Sequence, residues 1–247
     1  MTTHLSYAEK AKAGKQVAQT LEYTVTHKAG DSQQVEKRAL SYLLFLPSDY
    51  KPESGKKWPL LLHLHGAGER GNDLNKIKVH GPPNLVDHPD KAKEWPFITV
   101  SPQCPEDAWD WGGMQVLGLL LDEIEKRYDV DKDRIYVTGL SMGGFGTWAL
   151  VSQYPERFAA GMPICGGFDP AKAGRLVKVP LWVFHGDKDD IVPLVKSTEM
   201  VDAIKAAGGT RVKLTVYPDV DHNSWSMTYD NPEVYRWLLE QNRTKNK

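Results

Sequence analysis

Only two cysteines occur among the 247 residues, Cys104 and Cys165, and they form no C-x-x-C pair. Their spacing excludes a disulfide framework and a cysteine-based zinc or redox motif, and leaves two thiols that read as buried and reduced. Long apolar runs are lacking too: none approaches the ~20 residues of a bilayer span, and the stretch from Met1 to Lys10 has no signal-peptide core. The chain as given therefore reads as cytoplasmic, or as secreted should it be the mature form of a longer precursor, with no membrane partner. Charge of one sign is absent as well. Lysine plus arginine number 31 against 32 acidic residues, which gives no electrostatic footprint for nucleic acid or an anionic surface. A small or neutral partner fits better.

No internal repeat or low-complexity tract is visible either, and an α/β chain of this length is routinely one domain. Residues 5–18 are rich in Ala and Lys with weak periodicity, so residues 1–20 read as a peripheral helix or arm. Residues 21–247 read as the domain proper. Leu21–Thr26 and Ala39–Leu46 look like antiparallel strands joined by a turn around Gly30-Asp31-Ser32. Beyond Trp58 strands alternate with loops or helices, which is the mark of a mostly parallel sheet. The expected strands are Trp58–Leu64, Phe97–Ser101, Arg134–Thr138, Phe158–Ile164, Leu181–Phe184 and Val212–Tyr217. Helices are expected over Val116–Tyr128, Leu194–Ala207 and Pro232–Gln241.

One run concentrates the chemistry. Arg134 to Trp148 passes from a β-branched strand, through Gly139-Leu140-Ser141-Met142-Gly143, into an apolar helix. A G-x-S-x-G sequence at a strand-to-helix turn holds its serine in a strained conformation, and the glycines remove side chains that would collide with strand and helix. Ser141 Oγ is thus a candidate nucleophile. The backbone N–H of Met142, at the start of the helix, is a candidate donor to an oxyanion. The same five residues could also be an ordinary glycine-rich turn; the flanking strand and helix, and the partners downstream, favour the nucleophile.

In such a sheet the order along the chain is serine, acid, histidine. Of eight histidines, His4, His27, His63, His65, His80 and His88 precede the serine, and His185 precedes the acids of the following turn. His222, in Asp219-Val-Asp-His-Asn-Ser-Trp225, remains as general base. The acid lies in the turn His185-Gly-Asp187-Lys-Asp189-Asp190, where spacing alone does not choose among three aspartates; Asp187 could instead close the turn through backbone N–H groups. His63-x-His65 could share a strand face as a metal pair, but no acidic or cysteine ligand completes the set and no metal is assigned. Trp109 and Trp111, on a long loop after a strand, and Trp225, beside the base, are candidate substrate-binding walls, with plain packing as the alternative.

Taken together, His65-Gly-Ala-Gly68, Gly139-Leu-Ser-Met-Gly143, His185-Gly-x-x-Asp189-x-x-Val-Pro193 and Asp221-His222 resemble the α/β-hydrolase superfamily, over roughly residues 40–240. More closely, they are similar to the phospholipase/carboxylesterase and polyhydroxybutyrate-depolymerase-like esterases, which include bacterial chains labelled as peptidases. The resemblance implies a three-layer α/β-hydrolase sandwich with a mostly parallel central sheet. It implies that Asp189, the aspartate before x-x-Val-Pro, is the acid, and that the Ala67 N–H is the second oxyanion donor, with Glu69-Arg70-Gly71-Asn72 at the rim. Room between Ile164 and Pro180 suffices for one short helical turn, so no large lid is expected there. The implied partner is a small-molecule or polymer-linked carboxylic ester, short-chain or aromatic, cleaved without a cofactor through an acyl-enzyme. A serine peptidase with the same three residues, or a non-catalytic binding protein on this fold, are the rival readings.

Overall fold

A computed structural model of the chain describes residues 3–6, 11–29 and 32–246. One nine-stranded sheet runs through it, in the order β1-β2-β3-β5-β4-β6-β7-β8-β9. Strands β1 (Thr3–Ser6), β2 (Gln16–Ala29) and β3 (Ser32–Phe45) form an antiparallel margin, and β3 also pairs antiparallel with β5 (Ile98–Pro102). From there β4 (Trp58–Leu64), β6 (Val130–Leu140), β7 (Ala160–Ile164), β8 (Leu181–Gly186) and β9 (Val212–Tyr217) all run parallel. Every residue of β4 and β5 is buried, as a strand covered on both faces requires, whereas the edge strand β9 buries mainly its first position. The β4–β6 register shifts between Trp58 and Leu60, where Pro59 has no N–H to give the ladder.

Helices cover both faces. On one lie α3 (Met114–Arg127), α4 (Met142–Gln153) and α5 (Val195–Ala206), which contribute Leu117, Leu121, Trp148, Val151, Met200 and Ile204 to the main core. On the other, α1 (Gly81–Asp87), α2 (Pro89–Glu94), α6 (Ser224–Asp230) and α7 (Pro232–Glu240) supply Leu85, Val86, Ala92, Tyr229, Val234 and Leu238 to two smaller clusters. The three-layer sandwich with a mostly parallel sheet is the expected one. Five further buried residues of α3 and α4, Val116, Leu120, Ile124, Met142 and Leu150, pack into the same core.

One expectation needs correction. Among the described residues of 1–20 no peripheral helix is found: Thr3–Ser6 is a strand paired with β2, and β2 itself begins at Gln16. The alternation Val17, Gln19, Leu21, Tyr23 inward, hidden in an Ala- and Lys-rich stretch, is a period of two. Gly30 and Asp31 of the turn expected between the first strands lie outside the described residues. The short helices α1, α2 and α6 had no periodic signal, because seven residues or fewer hold under two helical turns. Between β7 and β8 there is only a 3-10 turn, Pro170–Arg175, consistent with the short connection read from the sequence.

Candidate active site

Ser141 sits between β6 and α4 at φ 51°, ψ −116°, a left-handed conformation that a residue with a side chain adopts only when its surroundings hold it there. Two constraints do so. The Ser141 N–H donates to the Ile164 carbonyl at 3.0 Å, tying the turn to the end of β7. The backbone also passes so close to its neighbours that a Cβ on Gly143 would lie 1.9 Å from the Leu64 carbonyl oxygen, and one on Gly139 would lie 2.3 Å from that of Gly143. Glycine at both positions is therefore a steric requirement of the turn.

The hydroxyl raised in this way meets an imidazole. Ser141 Oγ is 2.9 Å from His222 Nε2, and His222 Nδ1 is 2.7 Å from Asp189 Oδ2. Residues 81 positions apart are joined because β9 ends beside β8, delivering the loop that carries His222 to the carboxyl edge, where α6 starts two residues later. Asp189 Oδ1 accepts the backbone N–H groups of Ile191 at 3.0 Å and Val192 at 2.8 Å, which leaves Oδ2 facing His222. The other two aspartates are elsewhere: Asp187 Oδ1 accepts the Asp219 N–H at 2.7 Å, closing the turn against the loop before His222, and Asp190 is exposed.

Met142 opens α4 and Ala67 opens a 3-10 turn, Ala67–Glu69, so each N–H stands at a helical start with no intrahelical partner. The two starts are neighbours. A Cβ on Gly66 would meet Leu140 Cδ1 at 2.7 Å, and the Gly143 position abuts the carbonyls of Leu64 and His65. His65 holds this turn rather than any metal: its Nδ1–H donates to the Gly66 carbonyl at 2.6 Å and its Nε2 accepts the Cys104 N–H at 2.9 Å. Burial pushes its pKa down to about 4, so the ring is neutral, as those two bonds require. His63, fully buried beneath Tyr229, is likewise pushed well below the usual histidine range.

The tryptophans part company. Trp225 stands edge-on to the His222 ring, 5.3 Å between centroids, and edge-on to His80 at 5.5 Å, walling the imidazole. Trp109 is 65% exposed and lies under the Arg70 guanidinium at 4.0 Å. Arg70 donates to the carbonyls of Ala67 at 3.0 Å and Ala108 at 3.2 Å, pinning that rim beside the candidate oxyanion turn. Trp111, expected to line a pocket, does not: it is 1% exposed, donates from Nε1 to the Pro102 carbonyl at 3.0 Å and packs edge-on against His65 at 5.3 Å. Its φ of 56° turns the side chain inward, a conformation that residue type does not announce.

Sequence reasoning passed over three neighbours. Phe145, one helical turn beyond Ser141, is part-exposed at the mouth of α4; the i, i+4 spacing could have indicated it. His80 was set aside by chain order alone. Cys165, at φ 40° directly after β7, brings its thiol within 4.8 Å of the Asp189 carboxylate and the His222 ring. Those three residues are a metal-ligand set by type among the described residues. Two of them are already hydrogen-bonded to each other, and burial pushes the Cys165 thiol up to about 12, so it offers no thiolate.

No helix among the described residues is long and apolar enough to cross a membrane. The profile of the phospholipase/carboxylesterase family matches residues 51–231. The chain is 32% identical over 156 residues to the bifunctional acetylxylan esterase/xylanase XynS20E of Neocallimastix patriciarum, covering 60% of this chain and 21% of that protein. It is 25% identical over 164 residues to a probable feruloyl esterase C of Aspergillus terreus, covering 65% of this chain and 59% of that one. Among solved structures, that of a thermostable esterase superposes with a TM-score of 0.75 at 34% identity, covering 90% of this chain and 63% of that one. The chain thus spans less than two thirds of the length of each of these proteins.

Proposed function

Because the chain belongs to the phospholipase/carboxylesterase family, we propose that it is a serine carboxylic ester hydrolase that cleaves soluble short-chain or aromatic esters through an acyl-enzyme. The observation that carries this reading is the unbroken line from Ser141 Oγ through His222 to Asp189, at 2.9 and 2.7 Å, on a hydroxyl that is not buried. His222 Nε2 takes the Ser141 proton as Oγ attacks the ester carbonyl, and Asp189 Oδ2 holds the imidazolium that results. The N–H groups of Met142 and Ala67 receive the negative oxygen; losing one such donor typically costs ~3 kcal/mol of transition-state stabilisation. The imidazolium then protonates the departing alcohol. Water, deprotonated by the same ring, attacks the acyl group and restores the hydroxyl, so ester plus water balance to acid plus alcohol.

The rim supports an open site. The only structure between β7 and β8 is the short 3-10 turn, and Trp109, under Arg70, and Trp225, against His222, are surfaces for an aromatic or apolar group. The relatives named as an acetylxylan esterase and a probable feruloyl esterase are, by those names, hydrolases of acetyl and feruloyl esters, a small and an aromatic acyl group. Stoichiometric labelling of Ser141 by a fluorophosphonate, with turnover of dissolved acetyl, butyryl and hydroxycinnamoyl esters, tests the reading. An unlabelled Ser141 rejects it. A strong preference for emulsified long-chain triglyceride over dissolved butyrate ester rejects the open, lidless site. Turnover of an amide as fast as the ester with the same acyl group would instead mark a peptidase.

A further inference from the structure

A second imidazole touches the same carboxylate, and the steps above do not use it. His185 is the last residue but one of β8, and neither its side chain nor that of Asp189 is exposed. Its Nε2 lies 3.2 Å from Asp189 Oδ2 and 2.8 Å from the Val192 carbonyl oxygen. Its Nδ1 lies 2.8 Å from Ser197 Oγ on α5, and that hydroxyl is 2.9 Å from the Gly166 carbonyl oxygen.

Counting protons fixes the tautomer. A carbonyl and a carboxylate have no proton to offer Nε2, so Nε2 carries one itself. Burial pushes the His185 pKa below its ordinary value, with the Val192 carbonyl and Asp189 pulling partly back, so the ring holds a single proton and Nδ1 is an acceptor. The Ser197 hydroxyl then serves two acceptors, Nδ1 and the Gly166 carbonyl, with one proton. Asp189 Oδ2 therefore faces two rings: it receives the N–H of His222 at 2.7 Å, and the protonated Nε2 of His185, bonded to the Val192 carbonyl, lies 3.2 Å away.

We propose that His185 is a positioning residue for ester hydrolysis. Its Nε2–H, bonded to the Val192 carbonyl and held 3.2 Å from Asp189 Oδ2, fixes the rotation of the carboxylate and offsets part of the charge that Oδ2 offers, and so sets how basic His222 is. The inference rests on the ester-hydrolase reading. The titratable groups that face His185 are Asp189, on the turn after its own strand, and His222, on the loop after β9; α5 presents the Ser197 hydroxyl, and residue 166, beyond β7, presents a carbonyl. Removing the Nε2–H leaves more negative charge at Oδ2 for His222, which favours the imidazolium. The acid limb of kcat/KM then moves to higher pH. The freed carboxylate also aligns His222 less well, so kcat falls while KM holds, because a ring with no exposed surface does not meet the substrate.

The test uses the full chain, a soluble aryl ester, and the variants His185→Phe, which abolishes the donor, and His185→Gln, whose terminal amide can replace it. Expected for His185→Phe is a kcat about tenfold lower, a KM within about twofold and an acid limb moved upward; His185→Gln returns the limb to its wild-type position. Wild-type limb and kcat in His185→Phe overturn the proposal. So does an equal loss in both variants with no movement of the limb, which is what a purely structural histidine would give. Should His185→Phe not fold, nitrogen-15 spectra of the wild-type histidines decide: an Nε2–H ring with an unprotonated Nδ1 supports the proposal, and an Nδ1–H ring at neutral pH overturns it. Full activity in Ser141→Ala would sink the ester-hydrolase reading instead, an outcome distinct from any of these.

Discussion

Two turns at the carboxyl edge of the sheet each hold a non-glycine residue in the left-handed region, Ser141 at φ 51° and Trp111 at φ 56°. At Ser141 the strain lifts a small hydroxyl toward solvent and an imidazole; at Trp111 it drives an indole into the core against His65 and beside Gly146. The first turn is held by backbone packed on backbone, with Gly143 against Leu64 and Gly139 against Gly143. The second is held by one large side chain and its hydrogen bond to Pro102. A positive φ thus sets a hydroxyl beside an imidazole in one place and a structural pin in the other, and what differs is whether the side chain is small and turned outward or large and packed inside.

The contrast breaks hardest at the serine. Ser141→Ala is expected to lower kcat by about 10⁴-fold or more with the melting temperature unchanged, measured on a dissolved ester. Next, Asp189→Asn is expected to cost about 10³–10⁴-fold in kcat by presenting the wrong partner to His222 Nδ1. Asp187→Asn and Asp190→Asn should stay within about threefold, since neither touches His222. Near-normal turnover in Asp189→Asn alongside a collapse in a neighbour would reassign the acid.

At the second turn the expected loss is in stability. Trp111→Ala, which empties a core position, should destabilise by about 3–5 kcal/mol in denaturant unfolding, whereas Trp109→Ala, at an exposed indole, should cost about 0.5 kcal/mol and act on KM for aromatic esters. Equal stability losses would erase the distinction between the two tryptophans. A pH series sharpens it further, because Trp111 packs on His65. The folded pKa of His65 is depressed from the ordinary 6.5 to about 4, so its contribution to stability is fully present above pH 6.5 and is lost as the pH falls through that window, where the unfolded chain binds the extra proton. The depression corresponds to about 3 kcal/mol, and His63 and His185 act in the same direction. A midpoint that rises between pH 6.5 and 4 would contradict this.

How far each part was legible follows from the range of the forces involved. The strands from Trp58 onward announce themselves through runs of apolar residues, and Val212–Tyr217 agrees with the structure at both ends. The first strand pair was read too short, since Gln16 to Thr20 carries its inward positions among polar and small residues. Ser141 and His222 could be picked from motif and chain order. Among Asp187, Asp189 and Asp190, by contrast, the choice depends on which carboxylate the Ile191 and Val192 N–H groups clamp, and that is a property of the folded turn.

By itself the sequence determined the alternation of elements, the glycine-walled turn around Ser141 and the lack of a long insertion before β8, because each is governed by sterics and periodicity between near neighbours in the chain. Only the tertiary structure decided that Asp189 faces His222, that Trp111 faces inward and Trp109 outward, and that His185 stands behind the carboxylate. Those outcomes depend on which surfaces β8, β9 and α5 bring together across long stretches of chain, and a side chain's hydrogen bonds and burial are settled only once those surfaces meet.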